Sequence, residues 1–365
     1  MKAKSNIDWV LLYATAALTL FGLITVYSTS SLLAEERFGS HLFFFKRQLL
    51  WLLLAAIIIA VLVRIDLKAL SAYSPMIVFG VIVALALVFL MPARNGSQRW
   101  LFVGPLTVQP SEFARLALVY YLAFSLSLAN RDLSDYRRLL VPYLPIVGVI
   151  LALTLLEPDL GTTLTLGLTV LALFFMAGAR LYHLAAGLTP LAAGGALLVF
   201  VFGYNAERIR NYLETLADPL AGGYQVKQAI LTLGAGGLAG VGLGDGRQKH
   251  FFLPYPHTDF VFAAIGEEVG FIGLTLVMAL YLIIMYRGLR IASYQPDRFG
   301  YLLASGITLS LFFNVAINVG VVTSILPTTG LPLPLLSYGG SSLLVTLASI
   351  GMLLNLSRRR DGWTA

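Results

Sequence analysis

The chain has 365 residues, of which 58% are hydrophobic and only 12% charged. Soluble domains carry roughly a quarter charged residues and somewhat under half apolar ones, and a soluble fold of this size has too little interior to hide so much apolar surface. Lipid must therefore be the solvent for much of the chain. The lack of cysteine excludes disulfides, thiolate metal sites and cysteine nucleophiles. The net charge of +7 lies mostly in short loops between apolar runs, which fits membrane orientation rather than nucleic-acid binding.

In chain order, apolar windows of spanning length fall at 9–29, 48–63, 75–92, 112–129, 140–156, 162–178, 188–204, 260–286, 301–322 and 342–357. The expected fold class is therefore all-α: a polytopic membrane protein of about ten transmembrane helices in one integral membrane domain, residues 1–365. Lys2 and Lys4 lead into Trp9–Thr29, a run too long for the core of a cleaved signal peptide, so it is read as a retained first span. Basic residues gather on one side of this topology, from Lys2, Lys4, Arg64 and Lys68 through Arg287, Arg290 and Arg298 to Arg358–Arg360. Outside the longest loop, only Arg37, Lys46, Arg47, Arg94 and Arg99 fall on the other side. That asymmetry places both termini in the cytoplasm of a cell bounded by this membrane.

Two connections depart from short loops. Residues 205–258 form a long extracytoplasmic loop between spans 7 and 8. Within it, 206–219 and 224–233 are amphipathic and read as interfacial helices. Residues 327–342, PTTGLPLPLLSYGGSS, carry no charge and several prolines and glycines, which predicts a re-entrant-like, non-helical segment before span 10. The glycine-rich run 234–246 contains strings like a nucleotide fingerprint, but no strand precedes it, so a dinucleotide fold is rejected. Its amides are read either as an anion cradle beside Arg247 and Lys249 or as a plain loop.

Charges at span ends are costly in lipid and mark the candidate site. Glu112 and Arg115 open span 4; Glu157 and Asp159 lie between spans 5 and 6; Asp259 enters span 8, with Glu267 and Glu268 deeper. The topology puts all of them in the outer half of the membrane. Each has a structural alternative. Glu112 and Arg115 suit an i,i+3 helix pair, Asp159 a helix cap or turn, and Asp259 an N-cap. Asp259 also abuts Phe260, Val261 and Phe262; burial there would raise its pKa and suit it to accept a proton, with His257 as a second titrating group.

Five ordered motifs carry a further signal: Arg99–Trp100, QPSEF at 109–113, PDLGT at 158–162, the GVGLG, LPYPHTDF and GEE series from 240 to 268, and LPLPLLSYGGSS at 331–342. Together they resemble the SEDS family of bacterial shape, elongation, division and sporulation proteins, over nearly the whole chain. The short N-terminus and GSQRWLFVG look most like the rod-shape branch, while IGEE suits the division branch about as well. The resemblance implies a peptidoglycan glycosyltransferase that polymerises lipid II at the outer membrane face, with a class B penicillin-binding transpeptidase as partner. It implies that Asp259 is the catalytic carboxylate and that Glu112, Arg115 and Asp159 line a cavity below it. Arg115 stands where many relatives have lysine, and Tyr255 where relatives usually carry glutamate. The reaction expected is an inverting transfer in which Asp259 takes the acceptor proton. The departing diphosphate would be met by Arg115, Arg208, Arg210, Arg247 or Lys249, or by a divalent cation, Mg or Mn, with no organic cofactor. The rival expectation is a flippase for a lipid-linked sugar, which buried charges suit as well.

Overall fold

The computed structural model describes residues 7–92, 97–104, 106–128, 142–185, 189, 206–218, 223–247 and 253–358. Long apolar runs close their backbone hydrogen bonds internally, as lipid requires. The helices are α1 (Trp9–Phe38), α2 (Phe43–Leu62), a short α3 (Leu67–Ser71), α4 (Ser74–Val88), α5 (Pro110–Ser127), α6 (Leu144–Leu156) and α7 (Leu160–Met176). After them come α8 (Ala206–Ala217), α9 (Tyr224–Ala235), α10 (Val261–Ser293), α11 (Arg298–Val322) and α12 (Gly340–Ser357). Five of these, α1, α2, α10, α11 and α12, are long and apolar enough to cross a membrane, and α4, α6 and α7 are shorter apolar helices.

Nine of the ten expected windows coincide with described helices; the window 188–204 falls outside the described residues except at Thr189. α1 runs nine residues past its expected end, to Phe38. Both amphipathic stretches are helical, as α8 and α9. The all-α expectation is corrected at one place: β1 (Leu101–Val103) and β2 (Leu106–Val108) form an antiparallel hairpin in the loop before α5, pairing Leu101 with Val108. A three-residue strand is too short to show alternation in a sequence.

Helix boundaries have local causes. Asp8 caps α1 through Leu11 N at 3.1 Å, and Gly39 ends it in the left-handed region. Asp297 caps α11 through Gly300 N at 2.7 Å. Proline opens α4, α5 and α6, where its missing N–H costs nothing. α11 lies centrally, packed on α5, α7, α10 and α12, while α12 also packs on α2. Of the most apolar stretch of each helix, 89% is buried in α12 but only 17% in α2, which places α12 inside the bundle and α2 at its lipid-facing surface.

α10 is broken at Gly270 (φ 67°, ψ −171°). The glycine-rich run docks into the break, backbone to backbone. Val241 N and Gly242 N donate to the carbonyls of Glu267 and Glu268, while Phe271 N and Ile272 N donate to those of Gly237 and Leu238. A Cβ on Gly240 would overlap the Glu268 carbonyl, and one on Gly270 would overlap Gly240 N. The anion-cradle expectation for Val241 and Gly242 is thus corrected: their amides satisfy the carbonyls that the broken helix leaves open.

Both ends of the described chain meet at one end of the bundle. Asp8 pairs with Arg287 of α10 at 2.8 Å, and Asp8 N donates to Ser357 Oγ at the end of α12, 3.1 Å away.

Candidate active site

Asp259 is the last residue but one before α10, in a turn segment that begins at Leu253. Two other segments pin that turn through its backbone. Asn318 of α11 donates its Nδ2 to the Asp259 carbonyl at 3.0 Å and to the Leu331 carbonyl at 2.6 Å. Ser337 Oγ donates to the Thr258 carbonyl and accepts from Leu333 N, and Tyr338 N donates to the His257 carbonyl at 2.7 Å. The 327–339 segment is non-helical, as its composition predicts, and it forms the second wall of the site. A side chain at Gly330 would begin 3.6 Å from Asp259 Oδ2, so glycine leaves the space beside the carboxylate open.

Asp259 is partly buried. Loss of water around it raises its pKa from the usual carboxylate value to about 6, against the opposing charge of Arg99 and, more weakly, Arg208. It is therefore mostly ionised at neutral pH yet basic enough to accept a proton. The expectation of a second titrating group at His257 is corrected. Its ring is buried, packs 5.0 Å from the Phe44 ring, and has its pKa lowered to about 4 by burial and by Arg37, so it is neutral at physiological pH.

A second polar cluster joins α5 to α7. Arg115 Nη2 pairs with Glu112 Oε2 at 2.9 Å, and both side chains are buried. Asp159 caps α7 through Thr162 N at 3.1 Å and also accepts from Thr162 Oγ1 and from Gln109 Nε2, at 2.9 and 3.1 Å. The helix-pair and helix-cap alternatives are therefore both realised. The charge of Asp159 nonetheless reaches Asp259, which ties the cluster to the site electrostatically. Arg99 donates to the carbonyls of Glu157 and Pro158, locking the loop before α5 onto the α6–α7 turn.

The remaining expected cations separate. Arg208, on α8, reaches the Thr328 carbonyl at 3.4 Å and so faces the site, whereas Arg210 is exposed on the same helix. Arg247 is exposed, its backbone N–H donating to Glu267 Oε1 at 2.7 Å. Lys249 lies outside the described residues. Glu267 is thus used in docking the glycine-rich run, and Glu268 accepts from Ser28 of α1. Among the described residues no three His, Asp or Glu side chains converge as a cation cage.

Beside Thr258 opens a cavity of about 960 Å³ between α1, α2, the β-hairpin and the 253–258 and 338–340 segments. Sequence reasoning missed Asn318 and Ser337, because uncharged side chains within apolar stretches carry no signal until the backbone carbonyls they serve are known.

A family model described as cell cycle protein, covering FtsW, RodA and SpoVE, matches residues 8–362. Among similar curated proteins, stage V sporulation protein E of Bacillus subtilis is 42% identical over 360 residues, covering 97% of this chain and 98% of its own. A probable peptidoglycan glycosyltransferase FtsW of Geobacter metallireducens is 39% identical over 365 residues, covering 99% and 97%. Among solved structures, a chain from a study of a peptidoglycan synthase complex that coordinates polymerization and crosslinking superposes with a TM-score of 0.80 at 30% identity, covering 98% and 99%. The rod shape determining protein RodA of Thermus thermophilus gives 0.72 at 29% identity, covering 97% of each chain.

Proposed function

The chain belongs to the FtsW, RodA and SpoVE family of cell cycle proteins, and from that premise we propose that it is a peptidoglycan glycosyltransferase that polymerises lipid II at the outer face of the cytoplasmic membrane. The observation that carries the reading is Asp259. Its carboxylate has a pKa of about 6, its backbone is clamped by Asn318, and its neighbour Thr258 lines a cavity large enough for a glycan headgroup.

The chemistry is one displacement. Asp259 takes the proton of the acceptor 4-hydroxyl as that oxygen attacks the anomeric carbon of the donor. The new C–O bond forms as the bond from carbon to the diphosphate oxygen breaks, and the electron pair leaves with the polyprenyl diphosphate. An α-linked donor so gives a β-1,4 product. A diphosphate needs no proton to leave, only positive charge; Arg208 and Arg99, whose charges reach Asp259, are best placed to supply it. A magnesium or manganese ion, if the reaction uses one, would be held by Asp259 and would supply further positive charge for the departing diphosphate. An apolar groove of about 290 Å³ between α10 and α11 meets a pocket of about 270 Å³ under α8 at Leu326, a route for the donor's prenyl tail that ends near Arg208.

The orientation with both termini in the cytoplasm is supported by the basic-residue asymmetry and by the contacts of Asp8 with Ser357 and Arg287 at one end of the bundle. The family's likeness to a chain of a polymerising and crosslinking complex supports a class B penicillin-binding transpeptidase as partner. For the branch, the rod-shape reading rests on the GSQRWLFVG stretch at 96–104. The division reading draws on identities of 39% to an FtsW and 29% to a RodA. Depletion separates the two: loss of an elongation enzyme rounds the cells, and loss of a division enzyme leaves filaments.

Purified protein given lipid II is expected to make glycan polymer, with added EDTA deciding whether a divalent ion takes part, and Asp259→Ala to make none while unfolding at an unchanged temperature. Polymer from the Asp259→Ala protein would remove Asp259 from the chemistry. Lipid translocation in liposomes, with no polymer under any metal or partner condition, would favour the flippase.

A further inference from the structure

The large cavity beside Thr258 stands apart from the polar cluster of α5 and α7: Glu112, Arg115 and Asp159 are absent from its wall. Among the described residues its charged lining is Arg37, at the end of α1, and Arg47, in the second turn of α2, with no Asp or Glu. His257 also lines it, and that ring is neutral at physiological pH. Two guanidiniums therefore face a space walled by Trp51, Trp100 and Tyr338, with nearby hydroxyls from Ser28 and Thr29. Arg47 is held in place over the Phe43 ring, 4.8 Å from its centroid. A concave site with two cations and aromatic walls suits an anion joined to flat-faced rings, such as a sugar diphosphate.

We propose that Arg37 and Arg47 bind the diphosphate of the acceptor, the lipid-linked sugar whose hydroxyl is deprotonated at Asp259; the proposal rests on the polymerase reading above. Position assigns acceptor rather than donor. The donor's diphosphate is bonded to the carbon under attack, so its cations must stand beside Asp259. Arg208 does so, through Thr328 and Gly330 on one side of the carboxylate. The acceptor's diphosphate lies a disaccharide away from the reacting hydroxyl, so its cations must stand back from Asp259. Arg37 and Arg47 do so: they line the cavity that Thr258 and His257 border, and Asp259 is not part of its wall. Asp259 thus has one cation site beside it and a second set back from it, as a reaction joining two lipid diphosphates needs.

The test separates binding from turnover. In an Asp259→Asn background, labelled lipid II is titrated into nanodiscs of zwitterionic lipid, so affinity is read without polymerisation. Arg37→Gln/Arg47→Gln is expected to weaken binding at least tenfold, by about the factor one charged contact contributes. Arg47→Lys should recover most of it, since a point charge still serves a phosphate. The exposed Arg37→Gln alone gives a partial loss if the double variant fails to fold. In active protein the same changes should act chiefly on KM. Unchanged lipid II affinity overturns the proposal. So does a loss seen only in discs containing phosphatidylglycerol, which would assign the arginines to a phospholipid headgroup. Failure of the wild-type protein to polymerise would instead count against the reading above, because the binding arm does not depend on it.

Discussion

Asp259 does not gain its basicity from one neighbour. Burial raises its pKa, Arg99 and Arg208 lower it, Asp159 raises it again, and the balance is about 6. The sign follows from the role. A general base works only when deprotonated, so the rate should fall by about tenfold per pH unit below the folded pKa and level off above it. The kcat profile is expected to have an acidic limb near pH 6 rather than near the ordinary carboxylate value, and Arg208→Gln should move that limb upward. A limb near pH 4 would mean that the carboxylate is well solvated. Glu157 makes a contrasting case in the α6–α7 turn. Its carboxyl is fully buried, burial and Asp159 push its pKa up to about 8, and neither oxygen has a hydrogen-bond partner among the described residues. It is mostly protonated at neutral pH, so Glu157→Gln should shift stability by no more than about 0.5 kcal/mol in thermal unfolding. Sequence singled out Asp259 because a charge against Phe260 and Val261 is costly in any fold, and the structure finds it partly buried there. It misread His257, since nothing in the chain shows Phe44 and Arg37 closing over that ring.

Among the elements, legibility follows range of interaction. Spans were legible because the bilayer sets their length, and α8 and α9 because an amphipathic face repeats every turn. The glycine-rich run was not, because its partner is the backbone of α10 some thirty residues on, and backbone leaves no trace in side-chain chemistry. Its glycines matter for close approach. Gly240 sits at φ +81°, with the Glu268 carbonyl where its Cβ would be. Gly240→Val is expected to lower stability by about 2 kcal/mol or more, read as the unfolding temperature in detergent. It should also lower polymerisation, because the helical stretch it displaces, up to Glu268, begins two residues after Asp259. A variant with unchanged unfolding would show that the run is not wedged into the helix break. Arg37 and Arg47 were legible only as counters of orientation; their shared cavity needs α1, α2 and the 253–258 segment in place.

On the scale of the whole molecule, the bundle must hold three walls around Asp259, and they come from sequence positions far apart. What closes it at the opposite end is Asp8. Its carboxylate caps α1 and pairs with Arg287 at 2.8 Å, with the Asp8 side chain fully buried and that of Arg287 12% exposed. The N-terminal helix is thereby fixed to the C-terminal half of α10, whose other half leads to the turn that carries Asp259. Removing Asp8 loses a cap, worth about 1 kcal/mol, and leaves a buried guanidinium without that carboxylate, which typically costs about 3–5 kcal/mol. Asp66, the exposed cap of α3, gives the internal control, because it accepts from Lys68 N and Ala69 N at the surface. Asp8→Ala should therefore lower the unfolding temperature several times more than Asp66→Ala. Adding Arg287→Met should recover much of the loss, since a well-packed apolar chain costs less there than a lone charge. Equal effects of the two aspartate substitutions, or no recovery in the double variant, would mean that the ends of the chain are held by helix packing alone.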